Sequence, residues 1–400
     1  MTDCQATLLS LLSKALFNRT AIISEAKWHE LLHEAKYQSV QLLVYEALDQ
    51  SMMPKEDGKL WNDYAMASIA SNIRINHNHS SLHEWLSAAG IPYVILKGCA
   101  SASYYPVPDY RAMGDVDFLV PIEDLKRAGK VLEAHGLKPW EEEHISHIVY
   151  RAAGMHYEMH FDLAGTPNGE AGKLMQEYMA DVFEKASIHP VGSGEAVLPS
   201  PFHHGLILLL HTCHHMTGEG IGLRHLCDWA AFEDNFSDKE FQVLYEEKLK
   251  AIGLWKFAQV LTRVSIKYLG AEDRKWAICD DQLADALMED ILAGGNFGQK
   301  DHNRSVQTML ISDRGKDGIG RSNMLSQFIQ STNKIIYQHW PHAKKNKLLL
   351  SFGWLYFGAR RIIRELTGKR RKTDLKQTVS GATNRRNLYQ QLRLYEEEVI

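Results

Sequence analysis

Two aspartates separated by one valine, Asp115 and Asp117, stand in the run Ala112-Met113-Gly114-Asp115-Val116-Asp117-Phe118-Leu119-Val120. In an extended chain alternate residues share a face, so both carboxylates point one way, about 7 Å apart along the strand. Val116 and Phe118-Leu119-Val120 supply the apolar surface that buries such a strand. Two acids on a buried edge repel each other and lose hydration. A bound divalent cation is the usual compensation, and hard oxygen ligands suit Mg²⁺ or Mn²⁺. A polar strand end entering a turn produces the same pattern, so the neighbouring residues must decide.

Several neighbours carry relevant chemistry. Lys97-Gly98 ends an apolar run, Ile91 to Leu96, that reads as a buried strand and leads into a short helix. Backbone N–H groups at such a turn can hold phosphate. Arg111, four residues before Asp115, can pair with the carboxylates, clamp a phosphate oxygen in bidentate fashion, or form an ordinary structural salt bridge. In His156-Tyr157-Glu158-Met159-His160-Phe161-Asp162 the period of two puts Glu158, His160 and Asp162 on one face. A carboxylate there can complete a three-acid set with Asp115 and Asp117, or the polar face simply meets water. Further on, His203, His204, His211, His214 and His215 fall on one helix, and Arg224, His225 and Asp228 on the next. His211 and His215 have a spacing zinc can use. The glutamate of the zinc-protease motif is missing, however, and His225 and Asp228 are not adjacent as a His-Asp phosphohydrolase requires. A packed helical layer with histidines lining a cleft is the simpler expectation.

The elements that must position these residues fall into three regions. Residues 1–89 read as helices, with Leu8, Leu9, Leu11 and Leu12, then Trp28, Leu31, Leu32 and Ala35 at helical spacing, and a break near Met53-Pro54. Residues 90–200 read as a mixed α/β unit. It comprises the two strands already described, a helix from Ile122 to His135, strands from Ile145 to Arg151 and Met155 to Leu163, and a hairpin around Gly192-Ser193-Gly194. Residues 201–400 read as helical, with periodic segments His204 to Met216, Leu223 to Phe236 and Leu254 to Leu269, and a long irregular loop from Gly294 to Arg321.

A net charge of −4 and a pI near 6.6 give no global bias toward nucleic acid. The stretch from Lys334 to Arg386 is locally dense in Lys and Arg and makes RNA a conceivable partner. Five scattered cysteines without a CxxC pair argue against a zinc ribbon or disulfide scaffold. The start, Met1-Thr2-Asp3-Cys4-Gln5, lacks signal-peptide features, so a cytoplasmic location is expected. The longest apolar stretch, Leu348 to Ala359, is too short for a transmembrane segment. It reads as a core helix with a solvated basic tail, Lys369-Arg370-Arg371-Lys372, or as a helix lying on a membrane surface.

Strand, glycine turn, helix, Asp-x-Asp strand and a later strand with a central acid together resemble the polymerase β-type nucleotidyltransferases. The region from Tyr93 to Leu163 resembles in particular the uncharacterised bacterial nucleotidyltransferases, through Leu96-Lys97-Gly98, Arg111, Asp115 with Asp117, and Glu158 with His160. Gly98-Cys99 departs from the Gly-Gly or Gly-Ser pair of the wider superfamily, leaving Ser101 or Ser103 to replace the hydroxyl.

The resemblance implies an α+β fold: a nucleotidyltransferase-type mixed sheet between a helical N-terminal region and a helical C-terminal domain. It implies Asp115, Asp117 and Glu158 as catalytic metal ligands for Mg²⁺ or Mn²⁺, and Lys97, Gly98 and Arg111 as contacts to a nucleoside triphosphate such as ATP. His160, His211, Arg224 and Asp228 are implied at the acceptor pocket, and Gly294-Gly295-Asn296-Phe297-Gly298 as a family element. The expected reaction moves a nucleoside monophosphate to a hydroxyl or phosphate on a small molecule or carbohydrate. The alternatives are a macromolecular acceptor (a tRNA end or a protein side chain) and a catalytically silent nucleotide-binding module.

Overall fold

The computed structural model describes residues 1–23, 27–140, 146–167, 169–311, 323–368 and 374–396. Thr2 opens the first helix, α1 (Asp3–Phe17). Its hydroxyl accepts from the Gln5 backbone N–H, while the Gln5 side chain accepts from the Thr2 N–H. Leu8, Leu9, Leu11 and Leu12 are buried, as their spacing predicts. α2 (Trp28–Tyr37) and α3 (Gln41–Ala47) follow, and Pro54 begins the 34-residue α4 (Lys55–Ala88).

The sheet is built from β1 (Val94–Ile95), β2 (Val116–Leu119), β3 (Lys138–Pro139), β4 (His147–Ala152) and β5 (Met155–His160), in spatial order β1-β2-β5-β4-β3. β2 and β5 run parallel; the other pairs are antiparallel, so the sheet is mixed and the fold is α+β. α5 (Cys99–Ala102) lies between β1 and β2, and α6 (Leu125–Ala134) between β2 and β3. On one face of the sheet Val116, Phe118, Tyr157 and Met159 pack with Leu82 and Leu86 of α4 and with Ala128 and Leu132 of α6. α7 (Glu170–Tyr178) and a separate hairpin, β6 (Ser187–Val191) with β7 (Gly194–Leu198), follow.

The C-terminal part comprises α8 (Pro201–Thr217), α9 (Leu223–Glu233), α10 (Asp238–Ala251), α11 (Trp255–Val264), α12 (Asp281–Gly294), α13 (Arg304–Ile311), α14 (Met324–His339), α15 (Lys347–Leu366) and α16 (Leu375–Leu392). α8 faces two ways. Ile207 packs with Val94, Leu96 and Leu119 on the second face of the sheet, whereas Leu206, Leu208, Leu209 and Leu210 join a large helical core. That core includes both Leu8 near the start and Leu392 near the end.

Several expectations need correction. Only Val94 and Ile95 of the run from Ile91 are strand, and Asp115 precedes β2 rather than lying in it. β5 ends at His160, so Asp162 leaves the shared face, becomes exposed, and accepts a hydrogen bond from the Leu163 N–H at 2.8 Å. The helix expected from Ile122 starts as a 3₁₀ turn, Ile122–Asp124. The expected loop from Gly294 to Arg321 contains α13, because Arg304 bridges back to Asp290 while Val306 and Ile311 bury. The rest of that loop from 312, the strand residue Ile145, and Lys369-Arg370-Arg371-Lys372 lie outside the described residues.

α15 is not a core helix. Its apolar residues occupy two faces, and among the described residues the packed one is the face toward α14 and Trp340: Gly353 lies against Ile336, Trp354 Nε1 donates to Asn333 Oδ1 at 2.9 Å, and Trp340 meets the rings of Phe352 and Tyr356. Among the described residues no helix is long and apolar enough to cross a membrane.

Candidate active site

Parallel pairing of β2 with β5 sets Asp117 directly opposite Glu158, and Leu119 opposite His160. Asp115, at the entrance to β2, reaches the same place. One carboxylate oxygen from each of Asp115, Asp117 and Glu158 lies within 4.8 Å of the others. The three acids predicted to converge are therefore brought together.

The two aspartates differ sharply in environment. Asp117 is 2% exposed; its Oδ1 accepts from Lys97 Nζ at 2.9 Å and lies 3.2 Å from His160 Nε2. Burial alone raises the Asp117 carboxyl, but Lys97 and His160 outweigh it and hold the group below the usual carboxylate value. Burial likewise pushes Lys97 and His160 toward neutrality, and the carboxylates reverse the effect, so both are raised. Glu158 is lowered against burial chiefly by His160, whose Nε2 is 3.7 Å away. Asp115 makes no hydrogen bond or ion pair among the described residues.

Lys97 is aimed by the turn after β1. Gly98 has φ +62°, and a Cβ there would sit 3.0 Å from His79 Nε2, so glycine serves both conformation and space. His79 projects from α4 with both ring nitrogens buried and unpartnered, and burial lowers its pKa to about 4. α5 is only four residues long, which leaves little helix dipole for a phosphate. Of the two candidate hydroxyls, Ser103 donates to Ala100 O at 2.8 Å. Ser101 lines the cleft with its buried Oγ unpartnered.

Arg111 does not pair with Asp115 or Asp117. Its Nε and Nη2 donate to the two oxygens of Asp228, each at 2.7 Å, and Tyr105 Oη donates to the same carboxylate at 2.6 Å. Burial raises the Asp228 carboxyl, yet Arg111 and Tyr105 hold it below its ordinary value. The loop carrying Arg111 is fixed by Asn72 of α4, whose Nδ2 donates to Asp109 O and Arg111 O while its Oδ1 accepts from Met113 N.

The opposite wall comes from α8, α9 and the turn after α12, enclosing a cleft of about 630 Å³. His211 lines it with His215 and His225, the rings 4.3 and 5.6 Å from that of His211. Burial, then the Lys97 charge, keeps His211 well below its usual pKa; burial and Arg224 do the same for His225. These imidazoles are neutral at pH 7. Arg224 also lines the cleft, with no hydrogen-bonded or ion-paired side-chain partner among the described residues. Burial and the Arg111 charge depress its guanidinium, a setting that favours an anion. At Gly222 a Cβ would lie 2.7 Å from Asn296 N, so glycine lets the 295–298 turn close on α9 and brings Phe297 to the cleft. His203 is elsewhere, bonded to Ser200 and Asp181.

The donor set Asp115, Asp117 and Glu158 fits a hard divalent cation: three carboxylates in a partly dry cleft, one of them without a partner. An overlapping set, His147, Glu158 and His160, also converges. Among the described residues the histidines of α8 do not converge into a metal-ligand set. The sequence reading missed His147, His156 and Glu219, which line the cleft, and His79, which packs behind Gly98. His147 was recoverable, because a β4–β5 hairpin centred between Ala153 and Gly154 places residue 147 opposite residue 160.

A sequence profile of the family described as uncharacterised nucleotidyltransferase matches residues 24–270. Among solved structures the chain is similar to an antigenic nucleotidyltransferase-like protein from Paracoccidioides brasiliensis, with 15% identity and a TM-score of 0.31, over 51% of this chain and 96% of that one. No curated protein matches the sequence.

Proposed function

The chain belongs to the uncharacterised nucleotidyltransferase family, and from that premise we propose that it moves a nucleoside monophosphate from a nucleoside triphosphate to a hydroxyl or phosphate acceptor. The observation that carries the reading is the convergence within 4.8 Å of Asp117 and Glu158, on two parallel strands, with Asp115 at the entrance to one of them, beside Lys97 and facing Arg224. Asp115, Asp117 and Glu158 would hold Mg²⁺ or Mn²⁺, which when bound supplies positive charge to the phosphate oxygens.

The acceptor oxygen bonds to the α-phosphorus, the α–β phosphoanhydride bond breaks, and pyrophosphate leaves. Glu158, with His160 3.7 Å away, is placed to take the acceptor proton. Lys97 and Arg224 bring cationic charge to the triphosphate, and the unpartnered Ser101 hydroxyl offers a hydrogen bond at the glycine turn. Arg111 and Asp228 spend their hydrogen bonds on each other, so their part is to position the wall between loop and helix. The neutral imidazoles of His211 and His225 line the acceptor side. A small-molecule or carbohydrate acceptor suits a walled cleft of about 630 Å³.

Incubation with α-labelled triphosphates, Mg²⁺ or Mn²⁺ and a cell extract tests the proposal. Label should enter small molecules with stoichiometric pyrophosphate release, and neither should occur with Asp115→Asn. Label in RNA or protein would replace the acceptor class. Nucleotide binding without pyrophosphate release would leave only a binding module.

A further inference from the structure

α15 presents an apolar stripe to solvent. Leu348, Phe352, Leu355, Ile362, Ile363 and Leu366 share its outer face, with Leu348, Leu355 and Ile362 each about two turns apart and Phe352 also meeting the Trp340 ring at 5.8 Å. Leu348 is 83% exposed, Leu355 72% and Leu366 76%. The inner face is already occupied: Gly353 meets Ile336, and Trp354 packs on Phe328 and bonds Asn333. The outward face therefore belongs to a helix already anchored to α14, not to one waiting to turn inward. At 20 residues the stripe is about 30 Å long.

The charges around it are one-sided. Between residues 323 and 368 the chain carries seven lysines and arginines against a single acid, Glu365. Lys344, Lys345 and Lys347 sit at the start of the helix, and Arg360 and Arg364 along its second half, all exposed. Arg361 is paired with Glu365 at 3.3 Å.

We propose that α15 docks on an anionic membrane surface, its Leu348–Leu366 stripe entering the boundary of the acyl chains and the flanking lysines and arginines meeting lipid headgroups. An aliphatic stripe rimmed by cations is what an interfacial helix requires. A nucleic acid would meet aliphatic side chains where it needs charge and stacking. A second copy placing the same face on its twin would set cations against cations. This surface is formed by residues other than those of the cleft, so its test does not depend on the reaction proposed above.

The experiment is co-sedimentation of the full chain with extruded vesicles of phosphatidylcholine alone or with about 30% phosphatidylserine. The protein should follow the anionic vesicles, bind the neutral ones much less, and be released by about 0.5 M salt. Leu355→Glu and Ile362→Glu should each weaken binding on the order of tenfold or more, since each removes an exposed aliphatic side chain that enters the acyl boundary on docking. Their thermal unfolding should match the wild type, because both side chains point outward. Arg360→Glu with Arg364→Glu should weaken binding without touching the stripe. The proposal is overturned by absence of binding to anionic vesicles, or by binding that survives both stripe variants. It is equally overturned if those variants change only the sedimentation mass of the free protein, or only its retention of labelled RNA.

Discussion

Asp115 and Asp117 are chemically identical and two residues apart, yet their replacement by asparagine should change stability by different amounts. Asp117 lies 2.9 Å from Lys97 Nζ and 3.2 Å from His160 Nε2. At an effective dielectric of about 20 these contacts have gross attractions of about 6 and about 5 kcal/mol. The Asp115 and Glu158 carboxylates, within 4.8 Å, oppose them by at least about 3.5 kcal/mol each. With His160 protonated, attraction exceeds repulsion by at most about 4 kcal/mol. Partial exposure of Lys97 screens this, so Asp117→Asn should destabilise by about 2 kcal/mol. Asp115 has no direct partner among the described residues: repulsion from Asp117 and Glu158 is offset by longer-range attraction to Lys97 and Arg224, so Asp115→Asn should stay within about 1 kcal/mol of the wild type.

Thermal or urea unfolding of the two variants without metal measures the contrast. A chain of this length unfolds with an entropy of about 0.8 kcal/mol/K, so the variants should differ by about 3 °C. Magnesium at about a hundredfold over its Kd should stabilise the wild type by about 2.7 kcal/mol and neither variant appreciably. Both should lose pyrophosphate release. If Asp117→Asn melts at or above Asp115→Asn, the reasoning that Lys97 and His160 neutralise Asp117 fails.

Three further outcomes follow from contacts around the cleft. Asp228→Asn or Arg111→Ala should cost about 3–5 kcal/mol, since each strands a buried charge; a double-mutant cycle should return strong coupling, and independent effects would contradict the pair. Gly98→Ala should lose about 1–3 kcal/mol, because φ is +62° and the new methyl meets His79; a neutral result in urea unfolding would refute that. His204 is stacked on Tyr104 and burial lowers its pKa to about 3, so the unfolded chain gains its proton first as pH falls. Its stabilising effect is complete above pH 6.5 and falls by about 1.4 kcal/mol per unit below it. His204→Phe should make the stability profile shallower between about pH 6.5 and 5, where His79, His211 and His225 act in the same direction, and an unchanged slope would show that His204 does not contribute to that limb.

The chemistry written in local spacing was legible. Asp-x-Asp, Lys97-Gly98 and Glu158 depend on short-range periodicity, and the sheet's register brings the acids together. The partner of Arg111 was not, because Asp228 lies 117 residues away and only tertiary packing selects one carboxylate among many. Composition hid α13, whose glycine- and charge-rich surroundings read as loop until Arg304 finds Asp290. Periodicity showed that α15 is apolar but not which of its faces meets α14, since that depends on contacts such as Gly353 with Ile336 and Trp354 with Asn333.

The Arg111–Asp228 bridge joins the loop leading into β2 to a helix on the far wall of the cleft. A fragment ending after the sheet would keep the acids and forfeit the counter-ion of a buried guanidinium. The sheet and α9 are therefore tied by a charge pair that neither can satisfy alone. Both members of the bridge lie inside the stretch, residues 24–270, that the family shares.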